Sequence, residues 1–213
     1  CSFLERRKQC VRVNSCFSKY IDISVGAPQG TKLGPLLWLF YVNDLEVQGF
    51  NTVKYADDTT FYKSFGKHTG TTAPAILNTI EWAQQNRMLL NADKTVILNL
   101  MFSNRHTFDE PIFVDDNLSI EPSLSVKFLG THIDNLMTFS EHVDHIISSC
   151  NSRLYLLRQL KILGMNTDGL KRYFCANIRS LISYASPAWF FMLSNHDRDR
   201  LEKIQRSATR TIL

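Results

Sequence analysis

Two adjacent carboxylates, Asp57 and Asp58, follow Tyr55 and Ala56 and sit between two β-prone stretches, residues 50–55 and 59–62. Neighbouring carboxylates repel each other unless a cation lies beside or between them. Mg²⁺ suits that role, because it takes hard oxygen ligands and keeps waters and substrate phosphates in its remaining positions. Two such ions a few ångströms apart stabilise the attacking and leaving oxygens of a phosphoryl transfer. An Asp-Asp pair in isolation is equally a solvated turn. Here the flanking segments place it at the tip of a compact hairpin.

A second candidate is the glycine-rich loop Gly26-Ala27-Pro28-Gln29-Gly30-Thr31-Lys32-Leu33-Gly34-Pro35. Its spacing breaks the phosphate-binding GxxxxGK[ST] pattern. What remains is backbone that can approach a ligand closely, one amide side chain (Gln29), and a helix N-terminus that favours anions. A plain strand-to-helix connection is the competing reading. His142 and His145, one helical turn apart with Asp144 between them, have a spacing that permits a metal site. No other His or Cys supports it, so a solvated face is the preferred reading.

These residues need elements to position them. Val11 and Val13, then Ile21, Ile23 and Val25, alternate with polar residues around 14–19 and read as a hairpin. Pro35 fits the first turn of a helix, and the apolar run 36–42 reads as a buried helix reaching about residue 45. Apolar residues at 73, 76, 77, 80 and 83 give an amphipathic helix over 72–90. Strands are expected at 96–102, at 112–114 and 118–120 around the turn-forming Asp115-Asp116-Asn117, and at 126–133. From Ser140, an expected N-cap, the periodicity turns helical and stays so. Three stripes follow. The first holds Val143, Ile146, Ile147, Cys150, Leu154 and Leu157; the second Leu170, Tyr173, Phe174, Ile178, Leu181 and Ile182, stopping near Ser186-Pro187. The third holds Leu201, Ile204 and Ala208. Mixed elements up to 139 and helices from 140 to 213 make an α+β body with a helical subdomain.

The 213 residues are 44% hydrophobic and 21% charged, which is globular composition and argues against disorder. The longest apolar run is far short of the ~20 residues a membrane span needs, so no membrane partner is expected. Five cysteines without a CxxC pair point away from a disulfide framework or zinc ribbon and towards a reducing compartment. The net charge of +4 is uneven: residues 151–213 carry 11 Lys+Arg against 4 Asp+Glu, and the rest of the chain is mildly acidic. A basic helical part attracts polyanions, although scattered arginines on a solvated surface would give the same balance. The chain starts at Cys1 and its first methionine is Met88, so a fragment of a longer product is expected.

In order along the chain, these motifs resemble the reverse transcriptase domain of non-LTR, LINE-like (jockey-like) retrotransposons. The loop from Gly26 to Pro35, with Phe40-Tyr41-Val42-Asn43-Asp44, resembles the family's template-and-nucleotide loop and following helix. Tyr55-Ala56-Asp57-Asp58 resembles its catalytic hairpin. Trp82, Asn86 and the run Leu90-Asn91-Ala92-Asp93-Lys94-Thr95 resemble the next motif, and Phe128-Leu129-Gly130 the primer-gripping hairpin. Tyr184, Trp189, the run from Leu201 to Gln205, and Arg210 resemble the helical region that follows.

The resemblance implies a right-hand polymerase palm, an antiparallel sheet with packed helices, and partial fingers over 1–139. An all-helical thumb-like region over 140–213 would follow. It implies an RNA-directed DNA polymerase with two Mg²⁺ ions, an RNA template, a DNA primer and deoxynucleoside triphosphates, at work inside the cell in cytoplasm or nucleus. Asp57 and Asp58 would ligate metal and act in catalysis. Gln29 and Gly30 would contact template or nucleotide, Lys94 would face departing pyrophosphate, and Phe128, Leu129 and Gly130 would grip the primer. The family's third metal-binding aspartate lies on a strand upstream of the region matched here. The chain by itself is therefore expected not to polymerise, and an inactive nucleic-acid-binding remnant of a decayed element is the alternative function.

Overall fold

Short strands pair locally at the start of the chain. β1 (Arg7–Gln9) pairs antiparallel with β4 (Ile21–Ile23), and between them β2 (Arg12–Val13) pairs with β3 (Cys16–Phe17). The expected wide loop over 14–19 is thus a tight turn at Asn14 and Ser15, which the left-handed backbone of Asn14 (φ 54°) permits. The computed structural model describes residues 6–23, 26, 30–65, 71–101, 112–115 and 118–213. The chain divides after Leu90 into two compact units.

In the first unit, α1 (Leu33–Tyr41) holds Pro35 in its first turn, and the Thr31 hydroxyl accepts from the Gly34 amide at 3.1 Å. The expectation of a buried helix from 36 to 45 is corrected on both counts. The helix starts earlier and stops at Tyr41, and Leu36, Leu39 and Phe40 are exposed. Val42, Leu45 and Val47, beyond its end, are the buried residues instead. A continuous apolar run records a preference for burial but does not say which side a neighbour will cover.

β5 (Asn51–Tyr55) and β6 (Asp58–Tyr62) form an antiparallel pair with Tyr55 opposite Asp58. α2 (Ala73–Gln85) buries Ala75, Ile76 and Ala83. It stops short of residue 90 because the Asn86 side chain donates to the Trp82 carbonyl at 3.0 Å and Arg87 turns left-handed (φ 54°).

In the second unit, β7 (Ile97–Leu98) pairs parallel with β10 (Pro122–Ser123), and β8 (Ile112–Asp115) antiparallel with β9 (Leu118–Ile120). The strand expected over 96–102 is therefore only two residues long; its last member, Phe102, lies outside the described residues. The single strand expected over 126–133 is a hairpin, β11 (Ser125–Phe128) and β12 (Thr131–Asp134). Leu129 (φ 45°) and Gly130 (φ 85°) are both left-handed, which is the two-residue turn matching the twist of antiparallel strands.

Helices make up the rest: α3 (Ser140–Ile162), α4 (Thr167–Tyr173), a π-helical segment (Phe174–Arg179), α5 (Ser180–Ser183), α6 (Ser186–Trp189), a 3-10 turn (Phe190–Met192) and α7 (Asn195–Ile212). The three expected stripes meet in one core around Val143, Cys150, Leu157, Leu170, Ile178, Trp189 and Ala208. Burial pushes the Cys150 thiol up, so it is an inert packing residue.

Ser140 is not the N-cap. It is the first residue of α3, after a buried, left-handed Phe139 (φ 58°). The approach to the helix is ordered by Asp134, whose carboxylate accepts from the amides of Leu136, Thr138 and Phe139 at 3.1, 3.0 and 2.7 Å. No described helix is long and apolar enough to cross a membrane.

Candidate functional site

Asp57 and Asp58 stand at the tip of the β5–β6 hairpin, both exposed. The turn is Ala56-Asp57, and Ala56 is held left-handed (φ 53°), a conformation that costs a residue with a β-carbon about 1 kcal/mol. Its carbonyl accepts from the Trp38 indole nitrogen of α1 at 2.7 Å. Lys54 reaches back to the other end of the same helix, donating to the carbonyls of Val42 and Asn43 at 2.7 and 3.0 Å. A cation there satisfies orphaned carbonyls at the negative end of the helix dipole. The hairpin is thus tied to α1 at two points.

α1 is tied in turn to α2. The Trp82 indole nitrogen donates to Asp44 at 3.0 Å, the Tyr41 hydroxyl donates to the Asn86 carbonyl, and the Tyr41 and Trp82 rings meet edge-on. Tyr41, Asp44, Trp82 and Asn86 all lie in motifs legible in the sequence. Trp38 and Lys54 were not singled out. The signal for Trp38 is a polar indole N–H inside an aliphatic run, a group that finds an acceptor when partly buried.

Among the described residues, none donates a hydrogen bond to either hairpin carboxylate, and no group of three or more His, Cys, Asp or Glu is arranged to hold a metal. Two adjacent, unneutralised carboxylates fit a hard divalent cation that draws its other ligands from water or phosphate. Gly30 is exposed and left-handed (φ 75°), with open space where a β-carbon would be, so its backbone is free to meet a ligand. Gln29, its expected partner, lies outside the described residues.

The second unit carries the remaining candidates. Lys94 closes the short turn Ala92–Lys94 with its side chain exposed, and its amide donates to the Asn91 side chain at 3.2 Å. Phe128 and Leu129 are half-buried, and Gly130 is exposed at the tip of the β11–β12 hairpin. The Tyr184 hydroxyl donates to the Leu129 carbonyl at 2.7 Å.

His142 is not on a solvated face. It is 3% exposed, accepts a long hydrogen bond from the His132 amide (3.4 Å), and packs edge-on against Trp189 with ring centres 5.1 Å apart. Burial, followed by repulsion from His132 and His145, holds its pKa below the usual imidazole range. His132, on β12, completes the cluster; helical spacing could not reveal it because it comes from another element.

On α7, Leu201, Ile204, Ala208 and Ile212 face the core, which leaves Lys203, Arg206 and Arg210 exposed. Shallow surface depressions run between these basic residues beside Gln205 and Thr209.

A protein-family model described as reverse transcriptase (RNA-dependent DNA polymerase) matches residues 2–133. The chain is 26% identical over 228 aligned positions to a probable RNA-directed DNA polymerase from transposon X-element of Drosophila melanogaster, covering 99% of this chain and 24% of that protein. It is 30% identical over 157 positions to the RNA-directed DNA polymerase from mobile element jockey of the same organism, covering 68% of this chain and 17% of that protein. It is 27% identical over 180 positions to the Pol polyprotein from type-1 retrotransposable element R1 of Bradysia coprophila, covering 79% of this chain and 18% of that protein. The chain thus spans about a quarter or less of the length of these relatives. No solved structure matches it.

Proposed function

The chain belongs to the reverse transcriptase (RNA-dependent DNA polymerase) family, and we propose that it is part of a non-LTR, jockey-like retrotransposon polymerase that extends a DNA 3′-end on an RNA template. The observation that carries this reading is the exposed Asp57-Asp58 pair, on a hairpin whose tip is held by Trp38 and Lys54. Residues 1–139 would supply partial fingers and palm, and residues 140–213 the thumb.

In the reaction, the primer 3′-oxygen forms a bond to the α-phosphorus of a deoxynucleoside triphosphate, and the bond to pyrophosphate breaks. Asp57 and Asp58 would hold Mg²⁺, which when bound offsets charge on the attacking and leaving oxygens. Asp57 lies in the turn itself, whereas Asp58 opens β6 and is paired opposite Tyr55, so Asp57 is the freer ligand. Gln29 and Gly30 would contact template or incoming nucleotide. Lys94 would neutralise or protonate the departing pyrophosphate. Phe128, Leu129 and Gly130 would support the primer backbone, and Lys203, Arg206 and Arg210 would face phosphates of the duplex.

The test is Mg²⁺-dependent primer extension on an RNA template, by the chain expressed together with its upstream coding sequence. Asp57→Asn keeps shape and removes a metal-binding charge, so incorporation should fall at least ~100-fold while hybrid binding stays within about twofold. Asp58→Asn should lose less. Near-normal incorporation by Asp57→Asn would overturn the site. Hybrid binding without any incorporation by the parent protein would favour the inactive nucleic-acid-binding remnant.

A further inference from the structure

The turn Leu129-Gly130 forms the tip of the β11–β12 hairpin, and its backbone is left-handed at both positions. A left-handed backbone is sterically disfavoured for leucine, so something must hold it there. The hairpin is only two strands wide, which gives it little stability of its own.

The restraint comes from 55 residues further along the chain. Tyr184 ends the helical run at α5 with extended backbone (ψ 125°), and the left-handed Ala185 (φ 49°) turns the chain away after it. This exit points the Tyr184 ring at the turn. Its hydroxyl donates to the Leu129 carbonyl at 2.7 Å, and a β-carbon at Gly130 would lie 3.3 Å from its Cε1. Gly130 therefore does two things: it adopts φ 85°, and it lets an aromatic ring lie against bare backbone. Tyr184 is itself anchored, because its carbonyl accepts from the indole nitrogen of Trp189 at 3.0 Å, and Trp189 is fully buried.

We infer that Tyr184 is the positioning residue of the Leu129-Gly130 turn, fastening it through Trp189 to the helical core so that turn and helices move as one body. Its functional consequence rests on the primer-gripping role proposed above. A turn that supports the primer backbone must hold the 3′-end within a fraction of an ångström of its reacting position, and loss of that precision appears in the rate of reaction more than in binding. Tyr184 touches the turn and acts through it.

Tyr184→Phe deletes only the hydroxyl and keeps the ring; Tyr184→Ala removes both. Amide hydrogen exchange across residues 126–133 reads the brace directly, in the same upstream-extended protein. Exchange there should quicken about tenfold in Tyr184→Phe and further in Tyr184→Ala, with residues 143–157 unchanged. In primer extension, Tyr184→Phe should lower kcat about tenfold and leave the KM for primer-template within about twofold, and Tyr184→Ala should lower kcat further. Unchanged exchange across the turn in Tyr184→Phe overturns the brace. Faster exchange with kcat and KM both unaltered overturns its role in positioning the primer. Faster exchange in the Tyr184 variants, with a parent protein that neither binds hybrid nor extends primer, upholds the brace and rejects the polymerase reading instead.

Discussion

Asp197 and Asp57 carry the same chemical group in opposite surroundings, one buried and one exposed. Asp197 is 3% exposed, and its oxygens accept from the hydroxyls of Ser194 and Ser140 at 2.8 and 3.1 Å and from Arg200 at 3.0 Å. Ser194 is the N-cap of α7 and also accepts from the Asp197 amide, so one cluster starts α7 and joins it to the first residue of α3. Arg200 extends the cluster to Asp144 on α3. Replacing Asp197 by alanine leaves the Ser140 and Ser194 hydroxyls and Arg200 each short of a partner and should lower stability by about 1–2 kcal/mol in urea unfolding. Asp57→Asn removes no such partner and should leave the unfolding midpoint in place. That contrast would separate a structural carboxylate from one proposed to hold metal.

At the scale of elements, the β11–β12 hairpin and the start of α3 form a pH-sensitive seam. Burial, then repulsion from His132 and His145, lowers the His142 pKa, so the unfolded chain binds the proton more readily than the folded one. Stability should therefore be full above about pH 6.5 and decline as pH falls below it towards the lowered value. The groups facing His142 are His132, itself 3.4 Å from Glu141, together with His145 and the Trp189 ring. A second decline should begin below about pH 4. Burial would raise the Asp134 and Asp197 carboxyls, but hydrogen bonds outweigh it and hold both below the usual range. These groups must take up protons before they let go. Thermal unfolding across pH 3–8 should show both steps, and His142→Phe should remove the first while keeping the second. A single step in the parent chain would contradict this account.

For the molecule as a whole, the uneven charge is the dominant long-range feature. The exposed Lys203, Arg206 and Arg210 line one side of α7 while its other side is core, so helical phase converts a basic composition into a basic surface. Arg206 also pairs with Glu202, and in an exposed setting that pair contributes little and leaves the arginine available to phosphate. RNA–DNA hybrid should bind with little sequence preference and with affinity that falls steeply with salt. Replacing the three residues by alanine should flatten the log–log salt slope by roughly 2–3 units, since each phosphate contact contributes about 0.9 for duplex. Affinity that does not change between low and moderate salt would refute the surface.

Features that depend on neighbours along the chain follow from the order of the amino acids. The Asp57-Asp58 tip between two β-prone stretches is local turn chemistry, and the apolar stripes of α3, the 167–183 helical run and α7 are helical periodicity; all reappear in the structure. The family motifs were legible for the same reason, since each is a short contiguous string. Which faces are covered and which distant groups meet depends on the fold in three dimensions. Residues 36–42 have a composition suited to burial, yet Leu36, Leu39 and Phe40 stay exposed, because burial needs a partner surface that composition does not specify. His142 on α3 joins His132 on β12, Asp197 joins Ser140 across two helices, and Tyr184 reaches Leu129 from a chain exit followed by one left-handed alanine. Such contacts have no period in sequence. They exist because hydrogen bonds and close packing act through space, over distances that folding alone makes short.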